Sequence, residues 1–236
     1  MLLQNSQWEP WLDTLLNEDP FWGYMRGVNL ISWIIAITVM YVANYIFFLR
    51  AKRTDLDSQK ALFRSFGLFF GIMGITRICF VFAYFIEPYY NLLLSIGYTT
   101  GAISLLPLIL TLEKYLITQT KRFFSIVGII LTILGVVFLV LTFFTPTISE
   151  VSRSLQNVGM PILALAFVIL YSIVIKYSTG TIRTKAIMTL LGMFIFVAGI
   201  LFDSETLLEQ NPATMHIAPI VFSIGIIITT MFQRSD

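Results

Sequence analysis

The chain has 236 residues, 57% of them hydrophobic and only 12% charged, with a mean hydropathy of +0.85 and a formal net charge of +2. Soluble domains carry about 25% charged residues, so this composition excludes an ordinary soluble globular domain. The single cysteine, Cys79, excludes an intramolecular disulfide.

The opening stretch, MLLQNSQWEPW, has no basic region ahead of a short apolar run, so no signal peptide is expected. Within residues 1–26, Trp8, Trp11, Leu12, Leu15 and Leu16 recur at helical spacing among Asp13 and Asn17. That pattern predicts a short amphipathic helix lying on the outer leaflet, either as a belt anchor or as a lid over an outward-facing pocket.

Seven apolar spans follow, at about 27–49, 61–86, 90–112, 123–145, 157–175, 186–206 and 213–232, with a short tail at 233–236. Barrel strands need only about 9–11 residues, so spans of this length read as helices. The expected fold is all-α: a polytopic membrane protein with a seven-transmembrane-helix bundle. Twelve lysines and arginines fall in the loops and tail on one side of these spans, against Arg26 and Arg153 on the other, with Arg77 between. The basic side is expected to be cytoplasmic, which places the amino terminus outside and the carboxyl terminus inside the cell membrane. Phe21, Trp22, Tyr24, Tyr89 and Tyr90 stand where an aromatic belt belongs.

The second span contains the composition's clearest anomaly. Arg77 lies in GIMGITRICFVFAYFIEPYY, within about two residues of the expected midplane. A charge there costs about 2.5–3.5 kcal/mol on insertion scales, so it must face the bundle interior and find a partner. The sixth span supplies one, because only 17 residues separate Lys185 from Asp203, which draws Asp203 into the outer half of the hydrocarbon. Arg77 stands 17 residues beyond Lys60 and Asp203 stands 18 beyond Lys185, so the two reach nearly equal depth. An Arg77–Asp203 ion pair is therefore expected, as a ligand-binding element or as a staple between helices. Tyr84, seven residues from Arg77 and on the same helix face, extends the candidate network.

The third span is the most polar, with Asn91, Ser95, Tyr98, Thr99, Thr100 and Ser104 ahead of Pro107. Tyr98, Thr99 and Ser104 are candidates to line a cavity beside Arg77, with interhelical hydrogen bonding as the plainer role. Gly97 and Gly101 form a small-xxx-small pair expected to admit a neighbouring backbone. Glu113 and Lys114 end this span at the position where rhodopsin-like receptors carry a switch, a likeness of position alone. Snorkelling interface residues are the simpler reading.

The second and sixth spans correspond at an offset of 125, KALFRSFGLFFGIMG against KAIMTLLGMFIFVAG, aligning Gly67 with Gly192 and Gly74 with Gly199. Ser95–Gly97 and Ser223–Gly225 share Ser-Ile-Gly. The resulting expectation is a 3+1+3 arrangement of parallel repeats, a trait common in transporters.

The remaining chemistry is thin. His216, the one histidine, opens the seventh span near Glu209. No lysine lies in that span to hold retinal as a Schiff base, and one histidine builds neither a bis-histidine haem site nor a usual zinc set. No P-loop, G-x-G-x-x-G or G-x-S-x-G motif is present. No cofactor, metal, enzymatic activity or nucleic-acid partner is expected. Expected partners are the lipid bilayer, a small-molecule or lipid ligand, and a cytoplasmic or membrane protein engaging the basic loops. The leading functional expectation is a receptor-like, sensory protein with its ligand in the outer half of the bundle. The alternatives are a small transporter for an anionic or polar solute and an accessory subunit of a membrane complex.

Overall fold

The computed structural model describes residues 20–83, 86, 89–145, 148–203 and 214–233. The amphipathic stretch before Pro20, Tyr84, and residues 204–213 lie outside them. Among the described residues every regular element is helical: α1 (Pro20–Arg53), α2 (Asp57–Ala83), α3 (Tyr90–Thr111), α4 (Phe123–Phe144), α5 (Ile148–Tyr177), α6 (Gly180–Phe202) and α7 (Thr214–Phe232). In hydrocarbon each backbone N–H and C=O needs an internal partner, which long apolar runs meet by helix formation. Helices α1 to α6 are long and apolar enough to cross a membrane, and α7 is a shorter apolar helix. The architecture is that of a multi-pass helical membrane protein.

Several helices outrun their apolar spans. Helix α1 already begins at Pro20, and α6 begins at Gly180, carrying Arg183 and Lys185 in its first two turns. The apolar part of α6 is short, but the helix itself is not. Helix α3 runs into a wider π-turn at Leu112–Leu116 and a 3-10 turn at Thr118–Thr120 before α4.

The helices close a ring in chain order. Helix α1 packs on α2, α2 on α3, α6 on α7, and α7 returns to α1. Helices α3 and α5 touch directly, α4 lies across both from outside, and α5 meets α6 only lightly. Helices α2 and α6 thus stand opposite each other and meet through side chains at the centre, where Phe69 and Phe196 approach to 5.5 Å. Phe196 also packs edge-on against Phe222 of α7 at 4.6 Å.

Helix α4 buries only Ser125, Gly128, Gly135 and Thr142, and the last three repeat every seven residues. One narrow seam of small residues therefore seats it, while bulky Ile130, Ile133 and Phe144 face outward.

The glycines qualify the repeat expectation. A Cβ on Gly192 would lie 2.9 Å from the Gly225 carbonyl, and one on Gly225 would lie 2.6 Å from the Phe196 amide, so α6 and α7 meet backbone to backbone. The aligned Gly67 and Gly74 face Phe48 and Tyr41 of α1 instead. Equivalent glycines thus serve non-equivalent neighbours, and the close α1–α2 packing has only a light counterpart between α5 and α6. Gly97 and Gly101, expected to admit a backbone, admit side chains: Phe80 at the first, Met160 and Thr76 at the second.

Candidate functional site

The inward stripe of α2 reads Phe63, Phe66, Phe70, Met73 and then Arg77, each three or four residues after the last and all buried. Helical periodicity alone therefore carries Arg77 into the bundle. Asp203 is the C-cap residue of α6, its amide donating to the Gly199 and Ile200 carbonyls at 3.2 Å. Its carboxylate accepts a charge-assisted hydrogen bond from an Arg77 terminal nitrogen. The two side chains are 3% and 12% exposed, so both charges are withdrawn from water.

Aromatic faces complete the enclosure. The Arg77 guanidinium carbon lies 4.3 Å from the Phe222 ring centroid, 5.0 Å from Trp33 and 5.2 Å from Phe80. Each face attracts a cation through the ring quadrupole, most strongly where water is excluded. Trp33 and Phe222 also pack edge-on at 5.4 Å, so the cage walls support one another. Four helices, α1, α2, α6 and α7, meet at this one cation.

The third helix contributes at one remove. Tyr98 is half-buried and packs edge-on against the cage wall Phe80 at 5.2 Å. The Thr99 hydroxyl donates to the Ser95 carbonyl at 2.8 Å and the Ser104 hydroxyl to the Gly101 carbonyl at 2.6 Å, both within α3. Interhelical bonds join Thr76 with Thr100 at 3.0 Å and Ser65 with Thr111 at 2.5 Å. The structure therefore gathers Arg77 and Asp203, with Tyr98 against the cage wall, while Thr99 and Ser104 both donate along α3.

Glu113 and Lys114 part company. Lys114 is exposed, with its ammonium 4.9 Å from the Tyr115 ring. Glu113 is 2% exposed, and its carboxylate accepts from the Ser125 amide at 2.6 Å, the Phe124 amide at 3.2 Å and the Thr120 hydroxyl at 2.6 Å. It does not snorkel. It takes the part of an N-cap for α4, since Arg122 at the cap position offers no side-chain bond. An anion also suits the positive end of the helix dipole.

A second polar node sits toward the opposite end of the bundle. The Gln233 side-chain amide donates to the Tyr171 hydroxyl at 2.6 Å and to Thr189 Oγ1 at 3.0 Å, joining α5, α6 and the end of α7. Arg50 of α1 donates to the Thr230 and Gln233 carbonyls at 2.6 and 3.1 Å, capping α7 from outside its own helix. Sequence reasoning passed over this node because its polar members stand one to a helix. The Trp33–Phe222 cage was equally hidden, because 15% of the chain is aromatic. Among the described residues no group of three or more His, Cys, Asp or Glu side chains is placed to hold a metal ion.

His216 is half-buried at the start of α7, and neither ring nitrogen has a hydrogen-bond partner among the described residues. The chain matches no protein-family model, no curated protein and no solved structure.

Proposed function

We propose that the chain is a seven-pass, receptor-like sensory protein of the cell membrane, with its amino terminus outside and its carboxyl terminus inside. The observation that carries this reading is the buried Arg77–Asp203 pair in its aromatic cage, which ties α2 to α6 across the ring. Intramembrane ionisable residues are rare, and they cluster at functional positions. Helix α6 is held tightly only by α7, and beyond its light contact with α5 it reaches the remaining helices through the Phe196 ring contacts and two polar nodes. Such a helix pair is suited to move as one body when a node opens. The ligand class is a small or lipidic anion that replaces Asp203 on Arg77 from the outer side. Exposed Lys52, Arg53, Arg64, Lys114, Lys121, Arg122, Lys176 and Arg183 support the proposed orientation.

Opening the pair by mutation substitutes for the unidentified ligand. Spin labels at Leu116→Cys and Ile182→Cys in a Cys79→Ser background report the separation of the ends of α3 and α6. Asp203→Asn in nanodiscs should add a second distance population absent from the parent. An unchanged single distance, with lowered stability, would reduce the pair to a staple. That outcome favours the accessory-subunit reading, which the enclosure of Arg77 at 2% exposure independently supports. The transporter reading has less behind it, because the aligned glycines face different neighbours in the two halves. Flux of an anion panel into proteoliposomes, with Arg77→Gln as the control, tests it directly.

A further inference from the structure

At one end of the bundle, α3 ends, α4 begins and α5 ends, and these three helices pack against one another. Each brings a cation next to an exposed aromatic ring. Helix α3 presents Lys114 with Tyr115, the α4 start presents Lys121 and Arg122 with Phe123, and α5 presents Lys176 with Tyr177. The Lys114 and Lys176 ammoniums lie 4.9 and 5.8 Å from the centroids of their tyrosines. Between Tyr89 and Phe202 the sequence contains two acids, Glu113 and Glu150. Glu150 belongs to the opposite end of α5. Glu113 is buried and accepts from two amides and a hydroxyl, so it neutralises nothing on the surface. The result is a cationic rim with no exposed acid among its described residues, set at the level where aromatic side chains mark the membrane interface.

We propose that this rim is a docking surface for anionic phospholipid headgroups, with Lys114, Lys121, Arg122 and Lys176 as the phosphate-binding cations. Interleaved rings favour a lipid over a soluble acidic partner, since aromatic side chains of this kind settle at headgroup level while the cations meet phosphate. The backbone adds a second observation. Lys121 and Arg122 adopt φ of +48° and +63°, a region that costs energy for residues other than glycine, and both side chains remain exposed. Glu113 is the group that fixes this geometry, by holding the amides just beyond it. The proposal is independent of the sensory reading and of which leaflet the rim faces.

Native mass spectrometry of the full chain, given equal phosphatidylglycerol and phosphatidylcholine of the same acyl composition, reads the preference. The parent should retain phosphatidylglycerol selectively. Lys121→Asn with Arg122→Asn keeps residues that tolerate the left-handed backbone, and should lower the ratio by about fivefold for each cation removed. Lys114→Gln with Lys176→Gln, both away from the left-handed residues, should act the same way should the loop variant fail to fold. Lys52→Gln with Arg53→Gln should leave the ratio unchanged, because exposed Asp55 and Asp57 already offset that loop. Equal retention of the two lipids by the parent overturns the proposal and leaves an acidic protein as the candidate partner. Full selectivity in both folded rim variants overturns it as well. Displacement of phosphatidylglycerol by inorganic phosphate, with the same dependence on Lys121 and Arg122, would make the rim a soluble-anion site and also overturns it.

Discussion

Removing either charge of the Arg77–Asp203 pair alone should destabilise the fold more than removing both. Leaving one member of a buried pair costs about 3–5 kcal/mol, whereas replacing both by neutral groups is often close to neutral. Asp203→Asn strands a guanidinium that still has three ring faces within 5.2 Å. Each face returns about 0.5–2 kcal/mol, which holds the expected loss to the low end, about 3 kcal/mol. Arg77→Met loses the cage contacts and also strands a carboxylate that is 12% exposed, at about 4 kcal/mol. The double variant loses the cage contacts and one hydrogen bond with no stranded charge, also about 2.5 kcal/mol. The cycle therefore predicts a coupling of about 4.5 kcal/mol, far above the scatter of about 0.5 kcal/mol for independent sites. Reversible unfolding by titrating sodium dodecyl sulfate into mixed micelles measures all four corners. Additive single effects would refute both the pairing and the cage as an energetic unit.

Gly225→Ala should lower the melting temperature in detergent by the equivalent of about 1–3 kcal/mol, because its Cβ would lie 2.6 Å from the Phe196 amide nitrogen. Gly159→Ala meets its nearest atom, a Leu131 methyl, at 3.8 Å, and should hold or raise the melting temperature; equal losses at the two sites would contradict the backbone contact. Glu113→Gln should cost about 1–2 kcal/mol and speed hydrogen exchange at the Phe124 and Ser125 amides, with α7 amides unchanged. Protection that stays at the parent level would show that those amides do not depend on the carboxylate.

How much of this was legible beforehand varies with the kind of signal. Apolar run length marked the helices, since hydrocarbon thickness sets that length. Depth counting from Lys60 and Lys185 brought Arg77 and Asp203 to one level, because a helix converts residue number to distance at a constant rate. It did so even though α6 begins at Gly180, well before its apolar run. What depth cannot supply is azimuth, the direction in which a side chain points around the helix. Trp33 and Phe222 were therefore indistinguishable from the other rings of an aromatic-rich chain. Azimuth also separates Gly67 from Gly192, which align in sequence yet face α1 and α7 respectively. Glu113 stayed hidden for a different reason. Its amide partners lie eleven and twelve residues onward, beyond a π-turn that no periodicity announces.

The distance in sequence between Arg77 and Asp203 has a consequence for how the protein is made. The two residues are 126 positions apart. At a synthesis rate of about 5–20 residues per second, about 6–25 s separate their emergence. During that interval the guanidinium resides in the nascent bundle without its carboxylate. Phe222, on the last helix, arrives later still. Trp33 and Phe80 are already present, since α1 and α2 are made first. The two earliest walls of the cage thus shelter the cation while α3, α4 and α5 are inserted, and the ion pair closes only when α6 arrives.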